Sequence, residues 1–317
     1  MRKRRKISTA GSRAVCRARR LFLPLACSAA LFAQTPGQQP PADFVRQGQE
    51  LIREGKPQEA LELYRQTLQS SPDSLAANIA AGSVLDLMLK GEEARKYFVK
   101  AIEVADAPGF KAGARRAMAI SYAFEGNCAK TIEYEQQVFD FYGTVNNFYQ
   151  QGEIADEAAR ICIDSGDFDT AQKWYQLGHD TGLKEPDITP ARQDLWNFRW
   201  EHAQARIAAR QGNQTEAQKH LAAAKAVLDK GAIPEQTRFF QYLKAYVAFY
   251  AGDYETALEA LKTSDQDDPF IQCMLGQTYE KLGDQPKALE YYRKASRASS
   301  HNPPASYAVP FAKKKLA

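Results

Sequence analysis

The chain of 317 residues has no acidic residue among its first 33, only five cysteines in all, and only four histidines. Each shortage closes a class of function. The histidines, His179, His202, His220 and His301, are scattered. No HExxH, GxSxG or phosphate-binding glycine loop occurs, so hydrolytic, zinc-dependent and nucleotide-binding chemistry has no motif to rest on. There is no CxxC, and Cys128, Cys162 and Cys273 have no histidine at ligand spacing. They lie in apolar helical pattern, which points to buried thiols, with a disulfide between two of them open to the chain in an oxidising compartment. The acidic stretch Thr263 to Pro269 lacks the alternating ligands and glycine of a calcium loop, and its Asp268 reads as a helix N-cap before Pro269. No catalytic residue, metal site or cofactor is expected.

The missing acids matter for a second reason. Nine Lys and Arg crowd residues 1–33, and without them 33 basic residues face 38 acidic ones, so the formal net charge of +4 gives a nucleic-acid partner no support. The apolar run that follows the basic segment, Leu21 to Ala33, has 13 residues, the length of a signal h-region and short for a membrane span. Residues 1–33 are therefore expected to be a signal peptide cleaved after Ala33, which makes the protein periplasmic or secreted. The alternative is an uncleaved N-terminal anchor, the one segment through which the chain would touch a membrane. Cys27 after LPLA resembles a lipoprotein box without its aliphatic residue at Pro24, and Arg19 and Arg20 resemble a twin-arginine signal. Residues 34–41, rich in Pro and Gln, read as a flexible linker.

What the sequence has in quantity is a repeat. In LGQTYEKLGDQPKALEYYRKA, Leu275 to Ala295, small, aromatic and glycine positions fall at the steps also seen in QGQELIREGKPQEALELYRQT near the start of the chain. The pattern recurs seven times, with elbows at Gly55, Lys90-Gly91, Gly126, Gly166, Gly212, Gly252 and Gly283 and anchors at Ala60, Ala94, Thr131, Ala171, Ala217, Ala257 and Ala288. Anchor spacings of 34, 37, 40, 46, 40 and 31 give a period near 34, with insertions expected in loops between units. Each unit splits at its elbow into two segments with apolar residues at i, i+3, i+4 and i+7, so each is a pair of amphipathic helices. Glycine ends the first helix, and Asn127, Asp167, Asn213, Asp253 or Asp284 begins the second. Gly48, Gly82 and Gly276 let the paired helices approach, Tyr64, Phe98, Tyr175 and Tyr292 fill the groove one turn beyond the alanine, and Pro72, Pro108, Pro269 and Pro303 stop the second helix.

These residues resemble the tetratricopeptide repeat (TPR), closely in units one, two and seven and less so between, where Thr131 replaces an alanine and Glu201, Gln204, Gln241 and Lys244 take apolar positions. The resemblance implies an all-α, right-handed superhelical solenoid of about seven repeats over residues 42–302. Residues 303–317, with Tyr307, Phe311 and Leu316 for docking and Lys313, Lys314 and Lys315 facing water, are read as a C-terminal capping helix.

The resemblance also implies first helices lining the inner surface and a non-enzymatic scaffold or adaptor, of bacterial origin, that binds a protein or peptide on its concave face. An envelope-assembly or glycan-binding component held at the membrane is the alternative. In that register Arg199, His202, Arg206 and Arg210 form one stripe in unit five, either a grip for carboxylates or phosphates or a solvated face paired with Glu153, Asp156 and Glu157. Phe239, Tyr242, Tyr246 and Phe249 form an aromatic stripe on the next first helix, either a contact surface or buried core. The aromatic-rich Asp140 to Gln150 is read as an inter-unit loop. A clamp for a peptide C-terminus of the kind known in this family is not supported, because Val45 and Gln49 occupy its basic and amide positions.

Overall fold

A computed structural model describes residues 43–317. The expected leader and linker lie outside the described residues. Fifteen α-helices and one 3-10 turn, Pro234–Gln236, make up the described residues. They pair as α1 (Asp43–Arg53) with α2 (Pro57–Ser70), α3 (Leu75–Leu87) with α4 (Gly91–Val104), and α5 (Pro108–Ala123) with α6 (Cys128–Thr144). There follow α7 (Phe148–Ser165) with α8 (Phe168–Gly182) and α9 (Pro190–Arg210) with α10 (Gln214–Asp229). The last pairs are α11 (Thr237–Ala251) with α12 (Tyr254–Lys262) and α13 (Pro269–Lys281) with α14 (Gln285–Ala295), before a single α15 (Pro303–Leu316). Each helix packs on its partner and on the next pair, the solenoid that the repeat predicts.

Local chemistry explains the boundaries. Asn127, Asp167, Asn213, Asp253 and Asp284 are all N-caps, each side chain accepting the N–H three residues on. Asp268 caps α13 by accepting from Phe270 N at 2.7 Å. Gly166 and Gly252 end α7 and α11 at φ of 88° and 84°, a left-handed conformation costly for other residues. Unit two departs from this scheme: Leu89 takes the positive φ of 62°, and Gly91 is already the first residue of α4. Pro108, Pro269 and Pro303 turn out to start helices rather than stop them, since the first turn needs no proline N–H.

In the regular units, glycine on the first helix exists to admit an aromatic ring from the second. A Cβ on Gly82 would stand 2.6 Å from Phe98, one on Gly276 2.6 Å from Tyr292, and one on Gly48 would overlap Tyr64. All three rings are almost fully buried. The insertions fall largely inside helices instead of loops: α6, α7 and α9 have 17, 18 and 21 residues. Hence most of the stretch read as a loop over 140–150 is helical, with only 145–147 between α6 and α7.

Two further corrections concern cysteine and the tail. Cys128 and Cys162, expected as buried thiols, form a disulfide that joins the start of α6 to the end of α7 across neighbouring units. Among the described residues Cys273 alone is a buried free thiol, pushed up to about 12 by burial.

The tail covers α13 and α14, as a cap should, and reaches further. One face of α15 puts Ala308 and Ala312 into the core of units six and seven. The other puts Ala305 and Val309 among Phe98, Met118, Ile120 and Phe124 of units two and three. His301 stacks between the Phe98 and Phe124 rings, each 5.5 Å away, and its Nε2 lies 2.8 Å from Oδ2 of the buried Asp86. Ser121 Oγ donates to the other Asp86 oxygen at 2.9 Å. Lys313 does not face water as expected: it donates to the Leu87 carbonyl at 2.7 Å, closing the end of α3, while Lys315 pairs with Glu280.

Candidate functional site

Beside α15 the first helices leave a pocket of about 390 Å³. Four first helices and the start of the tail build it. Helix α7 contributes Glu153, Asp156, Glu157 and Arg160, spaced by 3, 1 and 3 so that one face carries them. From α9 come Phe198, Arg199, His202 and Arg206, and from α11 Arg238, Phe239 and Tyr242. Ile271 of α13 and Asn302, Pro303 and Pro304 at the head of α15 complete the wall, with Tyr175 of α8 behind.

The acids in the wall are mostly engaged already. Glu153 is ion-paired with Arg199, Glu157 takes both nitrogens of the Arg116 fork, and Asp268 is spent on its helix. Asp156 has no such partner, and burial raises its carboxyl to about 7, with Arg199 opposing the rise and Glu153 adding to it. Behind it, burial likewise raises Glu135, which shares the space with the Glu157 charge and has no hydrogen-bond partner for either oxygen.

The basic groups are less well served. Arg206 is 3% exposed; its Nη1 donates to Tyr175 Oη at 3.3 Å, and Nη2 is 3.9 Å from Asp164, too far for a hydrogen bond. The guanidinium lies 5.0 Å above the Tyr246 ring and 5.7 Å from that of Tyr242, so cation–π attraction supplies part of what desolvation removes. Arg206 Nε and Nη2, Arg160 Nε, His202 Nε2 and the Tyr242 hydroxyl are buried without a partner. His202 is held well below the usual imidazole range by burial and by Arg206 and Arg160, so it is neutral. Together these groups can donate to an anion and stack against a flat or apolar body.

The structure thus brings Arg199, His202, Arg206, Phe239 and Tyr242 to one pocket. It places the other sequence candidates elsewhere. Tyr246 is a fully buried ring beneath Arg206, Arg210 spans the Phe168 and Tyr250 rings, and Phe249 packs against Tyr250 and Tyr254. Sequence reasoning missed Arg160, although it stands four residues after Asp156 on the same stripe. It also missed the head of α15, for which no local signal exists. Among the described residues no group of three or more His, Cys, Asp or Glu could hold a metal ion, and no helix is long and apolar enough to cross a membrane.

Comparison with known proteins agrees with this build. The tetratricopeptide repeat family matches residues 45–110 and 242–303. No curated protein sequence matches the chain. Among solved structures, a tetratricopeptide repeat protein from Parabacteroides merdae ATCC 43184 is 13% identical, with 85% of this chain and 97% of that one covered and a TM-score of 0.45. The Cut9-Hcn1 hetero-tetramer of APC/C is similar at 16% identity over 80% of this chain, which spans 45% of that protein's length, with a TM-score of 0.44. The apo form of RapI shares the fold at 12% identity, over 86% of this chain and 97% of that one, with a TM-score of 0.52. The two segments similar to the tetratricopeptide repeat family therefore stand towards the two ends of the described residues, and helical hairpins connect them.

Proposed function

We propose that the protein is an exported, non-enzymatic interaction scaffold that holds a segment of a polypeptide in the pocket between units four to seven and the head of α15. The observation that carries this reading is a division along the first helices: α15 covers those of units two and three, while those of units four to seven keep an open pocket with Phe239 exposed at 40%. Arginine and tyrosine in a largely apolar pocket, with an aromatic exposed beside them, are the residue types in which recognition hot spots are enriched. Export is supported by the basic and apolar pattern of residues 1–33 and by the Cys128–Cys162 disulfide, which persists in oxidising compartments. A bacterial envelope is the compartment this suggests.

The test is a peptide-display selection on the wild-type protein with counter-selection on the double variant Arg238→Glu, Phe239→Ala, both of whose sites are exposed. Enriched peptides that bind the wild type and lose the variant are expected. Failure to enrich any would overturn the reading. Mass spectrometry of the mature chain checks the location: a first residue of Gln34 is expected, and a retained leader or a lipid on Cys27 would favour the membrane-held alternative.

A further inference from the structure

We infer that the pocket is a carboxylate slot, in which Arg160, Arg206 and Tyr242 take the carboxylate of a bound residue and the surrounding rings take its body. This deepens the polypeptide-binding reading and rests on it for the source of the carboxylate. The argument begins with an imbalance. A buried guanidinium with unmet donors is costly, and natural interiors leave few such groups. Here two unmet nitrogens of Arg206, one of Arg160 and the Tyr242 hydroxyl cluster around linked rings. The Arg160 guanidinium lies 5.0 Å from the Phe270 ring, Phe270 is 5.8 Å from Tyr242, and Tyr242 is 5.7 Å from Arg206.

Charge points the same way. Glu153 and Glu157 are neutralised by Arg199 and Arg116, Asp164 lies against Arg206, Asp156 is half protonated near neutrality, and Asp265 and Asp268, the remaining acids of the wall, accept from the backbone N–H groups of Asp267 and Phe270. Among the described residues Arg160 and Arg238 form no ion pair. The unmet groups that line the pocket, on Arg160, His202, Arg206 and Tyr242, can all donate, and the unmet Asp164 Oδ1 lies outside its wall, so the missing group is an acceptor. A planar two-oxygen acceptor matches a guanidinium fork and a phenol. Walls formed by Phe198, Ile271 and Pro303 suit an apolar body, and about 390 Å³ admits a single capped residue.

The experiment is calorimetric titration of the purified protein with N-acetyl-phenylalanine, its α-amide, N-acetyl-glutamate α-amide and phenyl phosphate. N-acetyl-phenylalanine is expected to bind at least about tenfold more tightly than its amide. Arg160→Met and Tyr242→Phe, which retain most of the side-chain volume, should each weaken the acid by about fivefold or more and leave the amide unchanged. Tighter binding of N-acetyl-glutamate α-amide would assign the slot to a side-chain rather than a terminal carboxylate. Equal binding of acid and amide, wild-type affinity in both variants, or a preference for phenyl phosphate overturns the slot. If display yields peptides indifferent to both variants, the slot fails and the polypeptide reading stands. If display yields none while N-acetyl-phenylalanine binds as expected, the slot stands and the polypeptide reading fails.

Discussion

The segments that match the repeat family, 45–110 and 242–303, and the unmatched middle differ in what they bury. At the ends, glycine faces a ring: Gly82 meets Phe98 and Gly276 meets Tyr292, with few polar atoms between. In the middle, Thr131 and Glu135 take the places of alanine and aromatic, and Thr131 satisfies itself on the Ala119 carbonyl at 3.1 Å. The Trp196 ring comes from unit five to fill the gap left by Gly152 and Gly182 of unit four, its Nε1 donating to Glu185 at 2.8 Å. The middle also buries Arg206 and half-buries Asp156 and Asp164. The ends are built for close packing, with the buried Asp86 fully bonded to His301 and Ser121, whereas the middle gives up regular packing to hold unmet polar groups beside a pocket.

That contrast can be broken experimentally. Phe98→Ala removes a ring shared by unit two and the tail, and should cost about 4 kcal/mol in denaturant unfolding. A loss below about 1 kcal/mol would show that the end units are not the packed part. Replacing Cys128 and Cys162 by Ser together should cost about 3 kcal/mol, because the bond closes a loop of 34 residues between neighbouring units of the middle. A variant as stable as the wild type would show that the middle needs no cross-link.

Asp156 sharpens the comparison through pH. Its folded carboxyl titrates at about 7 against 3.8, so the folded state holds the proton more tightly than the unfolded chain. Stability therefore falls as pH rises from about 4 to 7, by at most about 1.4 kcal/mol per pH unit from this group, and levels off above. Asp156→Asn should remove that share of the slope, read from urea midpoints across the range. An unchanged profile would mean that Asp156 is charged and solvated throughout. At the small end, Lys294→Ala deletes an exposed pair with Glu290 on α14 and should change stability by no more than about 0.5 kcal/mol. A larger change would put the strength of the end units in surface charge.

Much of the architecture was legible because it is written locally. Elbow glycines, acidic and amide caps and anchor alanines act within a few residues of where they stand, and Asp268 and Asn213 cap the helices that their positions announce. The arginine stripe of unit five was likewise legible as a face, since i, i+3 and i+4 spacing is a property of one helix. Its depth was not. Whether Arg206 meets water or the Tyr246 ring depends on how α9 and α11 are tilted together, and the same spacing serves either outcome. The Cys128–Cys162 pairing and the reach of α15 are longer-range still: Lys313 meets Leu87 across 226 residues, and no pattern within one repeat encodes that contact.

The position of α15 also orders how the protein can be made. A stacked array can ordinarily fold as its units leave the ribosome, each new hairpin settling on the previous one. Here Phe98, Met118 and Phe124 complete their packing only with Ala305 and Val309, so the earlier units must wait, with an apolar face open, for residues synthesised much later. A chain that stops before residue 303 would lose the inner wall of its second and third units rather than a dispensable end.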